Sequence, residues 1–395
     1  MDTGMEWELI YAEEVQEYVS ENGLSNIEQF FKEKLEGWQD VEVNIGVTGD
    51  SGTGKSSFIN AIRELDDDDE QAAKVGVTET TMEPKCYDHP SNPKIKFYDL
   101  PGIGTPNFPD LDSYCRETNL EQYHTFLIFT STRFTKNDLI LAQKIRSLKK
   151  KFFFVRTKID DNVRAERRKK SFNERAMLEK IRSDCAENLS DLLEKRQDVF
   201  LISNHDPSKW DFDRLTNAIL DVLPTRQKEA MSLTLGVLTT LSKDLLKRKV
   251  KVLQGRMWMI AGASAAGAIV PIPGLSIALD LGLILNEVKF YKSQLGIPDE
   301  GSERFQTLHA DTQDQIKRIC IDGVAIRSLM STFATESAVE EVARFIPFIG
   351  SVIAGSLSFA GTYYVLGQCL EKIEALAIKV LEEAAQSSVD DLDID

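Results

Sequence analysis

The sequence is poor in residues that staple a fold or hold a structural metal. Its 395 residues include five cysteines and four histidines. Cys86, Cys115, Cys185, Cys320 and Cys369 are odd in number, far apart and never in a C-x-x-C pair. Such spacing argues against a disulfide framework or a zinc site and fits a reduced, cytoplasmic interior. An excess of positive charge is also missing. Lys and Arg total 47 against 63 Asp and Glu, for a net charge of −16. Nucleic acid is gripped by clustered cations, so it is not expected as a partner. Neither end carries a recognisable address. Met1-Asp2-Thr3-Gly4 has no basic start and no apolar run, and Asp2 breaks the myristoylation pattern. Val389–Asp395 has no prenylation box, so no constitutive lipid anchor is expected. No array of repeats is visible.

What is present divides by hydrophobic pattern. Over residues 1–38, Tyr18, Leu24, Ile27, Phe30, Phe31 and Leu35 recur at helical spacing, and Gly23 splits them into two short helices. From Val43 the apolar residues alternate and run into a glycine-rich turn. That alternation, at Val43, Ile45 and Val47, reads as a buried strand, and further strands are expected over 82–88, 94–99, 124–131, 151–157 and 198–202. Helices are expected over 55–64, 111–122, 137–149, 173–188 and 211–222. That β/α alternation implies an α/β fold, a mostly parallel sheet with helices on both faces. After Pro224 the strand signals stop. The expected division is N-terminal helices 1–40, a sheet domain 41–224 and a helical region 225–395.

Three motifs carry chemistry. Gly49-Asp50-Ser51-Gly52-Thr53-Gly54-Lys55-Ser56 matches G-x-x-x-x-G-K-[ST] between a strand and a helix. Its glycines let backbone N–H groups converge on phosphate, and the helix adds its positive end. Lys55 is expected to reach the β- and γ-phosphates, Ser56 to ligate Mg²⁺, and Ser57 to extend the nucleotide contact. Asp99-Leu100-Pro101-Gly102 ends a strand about fifty residues on. There Asp99 suits the magnesium shell and Gly102 a close N–H approach to the γ-phosphate. Thr157-Lys158-Ile159-Asp160 follows an apolar strand. One carboxylate accepts both N1–H and N2–H₂ of guanine, a donor pair that adenine lacks, so Asp160 points to GTP or GDP, with the Lys158 stem against the base. Ser203-Asn204 stands where a backbone N–H meets guanine O6. Between the first two motifs lies the threonine-rich segment 75–82. Thr78, Thr80 and Thr81 all qualify to close over the metal, and Thr81 is favoured.

These residues resemble the immunity-related GTPases, the interferon-inducible, dynamin-like family. The carriers are Gly49–Asn60, Val77-Thr78-Glu79-Thr80-Thr81-Met82-Glu83, Asp99–Thr105, Thr132-Arg133-Phe134 and Phe152–Asp160. Lys55 in the P-loop matches the branch with Lys at that place. The resemblance implies a Ras-like G domain and a helical domain built from both chain ends. It also implies GTP hydrolysis promoted between subunits of a homodimer or larger assembly joined through G domains. Action at intracellular membranes in cell-autonomous immunity is implied too. Ile103 follows Gly102 where Ras-type enzymes carry a water-orienting Gln. Glu79, the family's switch glutamate, is the expected substitute in an assembled dimer. The missing Gln keeps a second reading open, a nucleotide-locked scaffold with little turnover.

Two uncharged stretches, 257–279 and 345–370, are each long enough to span a bilayer. Pro271 and Pro273 interrupt the first. Buried core or conditional membrane contact is the favoured reading, with a membrane-inserted GTPase as the alternative. The basic residues Lys149–Lys151 and Arg167–Lys170 read as a solvated face, with contact to anionic lipid as the alternative.

Overall fold

The computed structural model describes residues 5–76, 83–102, 111–189, 192–193, 198–236, 238–267, 275–318 and 357–390. The chain forms two units, Gln39–Val237 and a second composed of Met1–Trp38 with Leu238–Asp395.

In the first unit the strands are β1 (Val43–Gly49), β2 (Lys85–His89), β3 (Asn92–Asp99), β4 (Thr125–Thr130), β5 (Lys151–Arg156) and β6 (Val199–Leu201). They lie in the order β2-β3-β1-β4-β5-β6. Only β2 is antiparallel; β1 pairs in parallel with β3 and β4, β4 with β5, and β5 with β6. The sheet is the mostly parallel one expected. β4, Thr-Phe-Leu-Ile-Phe-Thr, is buried throughout, as befits a central strand covered on both faces.

Its neighbours are α3 (Lys55–Ile62), α4 (Leu111–Thr118), α5 (Lys136–Ser147), α6 (Ile159–Glu166), α7 (Glu174–Asn188), α8 (Phe212–Val222) and α9 (Thr225–Thr234). Phe126, Ile128 and Phe154 share one core with Tyr114, Leu141 and Val163 of α4, α5 and α6. Phe129 points the other way, 5.1 Å from the ring of Phe58 on α3, which in turn meets Phe212 on α8. Helices therefore cover both faces. Buried Phe212, Leu215, Ile219 and Leu220 recur at the helical period along α8. Thr135 and Asp138 form a capping box that starts α5.

Two features differ from the sequence expectation. Residues 159–166 form α6, which begins inside the third motif. Its first residue, Ile159, is buried, and the polar run Asp160–Asp161 lies in the first turn, where carboxylates suit the helix dipole. The unit boundary falls after residue 237 rather than 224. Pro224 opens α9, but that helix packs on β1 and β3 and buries Ala230, Met231 and Leu233, and Asn92 Nδ2 donates to Thr234 Oγ1 at 3.4 Å.

The second unit is helical: α1 (Met5–Asn22), α2 (Ile27–Glu36), α10 (Leu238–Leu241), α11 (Lys243–Gly267), α12 (Leu275–Gln294), α13 (Glu303–Gln306), α14 (Ala310–Arg318) and α15 (Leu357–Asp390). α11 packs against α1, α2, α12 and α15, which joins both chain ends in one core. Gly255 and Gly262, seven residues apart on one face of α11, let Trp7 and Phe31 approach. A Cβ there would stand 2.7 Å from Trp7 and 2.6 Å from the Phe31 ring. The described part of the first uncharged stretch, Met257 to Ala266, is largely buried, and Trp258 meets Phe359 of α15. No described helix is long and apolar enough to cross a membrane. Residues 268–274 and 345–356 of those stretches lie outside the described residues.

Candidate nucleotide site

β1, β3, β5 and β6 are parallel, so their carboxyl ends open on one edge of the sheet, where ligands of such folds bind. The three motifs and Ser203-Asn204 occupy the loops at that edge.

The first loop is shaped by backbone constraint. Gly49, Gly52 and Gly54 have φ of 136°, 74° and 85°. At Gly49 a Cβ would stand 2.2 Å from the Phe129 carbonyl oxygen of β4, so only glycine fits. Lys55 is 6% exposed, and its Nζ donates to the carbonyls of Gly49 at 3.0 Å and Asp50 at 3.1 Å. The ammonium thus lies across the mouth of the loop whose phosphate contact the sequence expects it to make. Thr53 Oγ1 donates to Asp50 O at 2.8 Å and tightens the turn. Ser51 and Gly52 at its tip are exposed.

Ser56, in the first turn of α3, donates from Oγ to Asp99 Oδ2 at 2.7 Å. Asp99 is 1% exposed. A buried carboxylate oxygen and a hydroxyl at this separation form a hard-oxygen pair that fits Mg²⁺. Among the described residues no three His, Cys, Asp or Glu side chains gather as an all-protein metal site. Leu100 N donates to Val47 O at 2.8 Å, which carries the second motif alongside β1. A Cβ on Gly102 would meet Gly49 O at 3.1 Å, so these two loops touch.

Thr157 faces the first loop: its Oγ1 donates to Thr53 O at 2.6 Å and lies 3.2 Å from Thr130 O. Lys158 is exposed at φ +58°, a conformation that L residues rarely adopt. Asp160 stands in the first turn of α6, its Oδ2 4.0 Å from exposed Arg164. Ser203 is buried, and Asn204 Nδ2 donates to Gly54 O at 2.8 Å. That carbonyl also accepts from Phe58 N at 3.0 Å, so a side chain and the first turn of α3 share one acceptor. Two side-chain bonds, from Thr157 and Asn204, therefore tie the loops after β5 and β6 to the first loop.

A cavity of about 460 Å³ adjoins this cluster, lined by Ser57, Asn60, Leu65, Asp66, Asn204 and His205. The acidic turn Asp66–Glu70, part of which forms its wall, is exposed yet anchored. Asn60 Nδ2 donates to Asp67 Oδ1 at 2.8 Å, and Asn60 Oδ1 accepts from Ala73 N at 2.6 Å. Sequence reasoning missed Asn60 in this role; an Asn at a helix position facing the core is the one signal that points to it. Asp138, also unsuspected, has its carboxyl pushed up by burial, against the lowering effect of its bonds from Thr135. Thr78, Glu79, Thr80, Thr81 and Ile103 lie outside the described residues.

Comparison with known proteins is consistent across the chain. A family model described as Interferon-inducible GTPase (IIGP) matches residues 10–391. Interferon-inducible GTPase 5 of Rattus norvegicus is 33% identical over 367 residues, which cover 89% of this chain and 78% of the relative. Interferon-gamma-inducible GTPase 10 of Mus musculus is 30% identical over 380 residues, 95% of this chain and 90% of the relative. T-cell-specific guanine nucleotide triphosphate-binding protein 1 of Mus musculus is 34% identical over 364 residues, 90% and 84%. Among solved structures, a probable GTP-binding protein engB aligns at a TM-score of 0.29 with 15% identity, over 46% of this chain and 98% of that one. That likeness is too loose to carry an argument.

Proposed function

The chain belongs to the interferon-inducible GTPase family, and on that premise we propose that it turns over GTP in an assembly joined through its G domains and acts at intracellular membranes in immunity within the cell. GTP binding and hydrolysis follow from family membership. The residue roles, the metal, the assembly and the membrane are our own reading.

The observation that carries the residue roles is the bonding of four loops into one cluster, Ser56 to Asp99, Thr157 to Thr53, and Asn204 to Gly54. A cluster fixed before the substrate arrives has little reorganisation left to do. In this reading the N–H groups of Gly49–Ser57 receive the α- and β-phosphates. Lys55 leaves its two carbonyls for the β- and γ-phosphates, where the charge is greater. Ser56 and Asp99 would hold Mg²⁺, which would supply charge neutralisation for the phosphates. Gly102 presents its N–H to the γ-phosphate. Asp160 accepts from N1–H and N2–H₂ of guanine, the Lys158 stem packs on the ring, and the backbone at Ser203-Asn204 donates to O6. Glu79 orients the water that attacks the γ-phosphorus as the β–γ anhydride bond breaks, and Thr81 completes the metal shell.

Turnover per molecule, measured with Mg²⁺ over a wide range of protein concentration and with ATP as control, tests the reading. Specific activity that climbs with concentration, for GTP alone, supports catalysis within an assembly. Flat, near-zero turnover with intact GTP binding overturns it in favour of the nucleotide-locked scaffold. Glu79→Ala with unchanged turnover at saturating protein removes that residue from the scheme. For the metal, Ser56→Ala should weaken Mg²⁺-dependent GDP retention; no change would exclude Ser56 as a ligand.

A further inference from the structure

Arg156 ends β5, immediately before Thr157-Lys158-Ile159-Asp160, and is 6% exposed. Its Nη1 donates to Thr157 O at 2.7 Å and its Nη2 to Asn162 Oδ1 at 2.9 Å. The two partners bracket the reading turn, one at its first residue and one in the helix that follows. The backbone bonds on the far side of the turn are weaker. Ile159 N to Ile202 O and Asn162 N to Lys158 O are both long, at 3.3 Å. α6 begins at Lys158 with positive φ and no side-chain cap. Thr157, by contrast, is fixed twice over, by its N–H at 2.9 Å from Thr130 O and its hydroxyl on Thr53 O. Arg164 beside Asp160 is 74% exposed and 4.0 Å away, too loose to aim a carboxylate.

The placement is costly. Burial pulls the guanidinium pKa down, opposed by Cys185 and Asp184, and Nε makes no hydrogen bond among the described residues. A buried charge is weak support for stability, and an apolar side chain would fill this strand end at less cost. The fork geometry of Arg, two donors aimed at two fixed points, is what an apolar residue or Lys does not supply.

We propose that Arg156 is a positioning residue for base selection: it locks the first turn of α6 to Thr157 so that the Asp160 carboxylate meets both N1–H and the 2-amino group of a guanine nucleotide. The inference rests on Asp160 as the base-reading carboxylate. Asn162 is its second half, the acceptor through which Arg156 holds the helix.

The test uses the full chain and the affinities of GDP, IDP and ADP with Mg²⁺. IDP lacks only the 2-amino group, so the GDP-to-IDP affinity ratio reports the aim of Asp160. The wild type should favour GDP over IDP by about ten-fold or more. Arg156→Gln should cut that ratio at least five-fold and raise KM for GTP more than it lowers kcat. Arg156→Lys should rescue it only in part. Asn162→Ala should shift the ratio in the same direction, and Asn162→Asp, which keeps the acceptor, should preserve it. A merely structural Arg156 would weaken GDP and IDP by one common factor; that result in Arg156→Gln overturns the proposal. If Arg156→Gln does not fold, an unchanged ratio in folded Asn162→Ala overturns it equally. A wild type that fails to favour GDP over ADP would instead remove the base-reading role of Asp160 on which the proposal stands.

Discussion

The two units bury polar side chains for opposite purposes. In Gln39–Val237 three polar side chains at the site, buried Lys55 and Thr157 and half-buried Asn204, reach out to loop backbone at Gly49 O, Thr53 O and Gly54 O. In the helical unit they pair side chain to side chain across helices. Arg256 of α11 bonds Glu287 of α12 at 3.0 and 3.1 Å, Ser264 meets Thr362 at 3.0 Å, and Tyr363 of α15 donates to Glu8 of α1 at 2.7 Å. The first pattern shapes a face open to a ligand. The second selects one arrangement of neighbouring helices. Substitutions in the first should therefore register as binding, and in the second as stability.

The largest effect expected is Gly49→Ala. Its Cβ would enter the β4 backbone at 2.2 Å, and neither strand can retreat without opening the sheet. We expect more than about 4 kcal/mol of destabilisation and loss of GTP binding. Hydrogen exchange should confine the damage to residues 39–237. Near-normal GTP binding would mean that the loop tolerates a displacement its geometry denies.

Next is the buried pair Arg256–Glu287, whose side chains are 9% and 5% exposed. Glu287→Leu alone strands a guanidinium and should cost about 3–5 kcal/mol. Adding Arg256→Met should recover most of it, all but about 1 kcal/mol for the Leu35 carbonyl that Arg256 also serves. Three of the four tryptophans, Trp7, Trp38 and Trp258, lie in this unit and Trp210 in the other, so tryptophan fluorescence reports mainly its unfolding. The KM for GTP should stay within two-fold in the double variant. A large rise in KM would break the division of labour between the units.

The contrast also explains what the sequence made legible. The sheet, its helices and the three nucleotide motifs follow from local rules: alternation, helical period, and glycines where φ must be positive. The positions of Gly49 and Gly54 could be read because backbone geometry forces the residue type, and Asp99 because a carboxylate at a strand end suits a magnesium shell. The helical unit has no such markers. Arg256 and Glu287 look like ordinary charges until α11 and α12 are packed, since 31 residues separate them. The link from Tyr363 to Glu8 spans 355 residues. α6 was hidden for a related reason: its start coincides with a motif, and the positive φ of Lys158 makes that start resemble a loop.

Glu8 gives a smaller, pH-dependent effect. Burial pushes its carboxyl from the ordinary 4.5 up to about 7, against the lowering effect of the Tyr363 hydrogen bond. The folded unit thus keeps a proton that the unfolded chain has released. Stability is full below about pH 4.5, falls as pH rises toward 7 and is level above it, by on the order of 3 kcal/mol at most. Glu8→Gln keeps an acceptor for Tyr363 and cannot ionise. It should be more stable than wild type at pH 8 and equal to it at pH 4. An advantage that does not vary with pH would show that Glu8 stays ionised in the fold.

The smallest effect lies back in the nucleotide unit, at Asn204. Its side chain is half-buried and its bond to Gly54 O joins residues 150 apart. Asn204→Ala leaves the backbone that faces the base and removes only this tie. The Gly54 carbonyl keeps its bond from Phe58 N at 3.0 Å, and the loop after β6 loosens against the first loop. We expect a fall in GDP affinity of about ten-fold, equivalent to about 1.4 kcal/mol, with the unfolding midpoint almost unmoved. Isothermal titration beside thermal melts separates the two. If the melt shifts and the affinity does not, Asn204 belongs with the helix-locking polar groups of the other unit, and the contrast between the units loses one of its three supports.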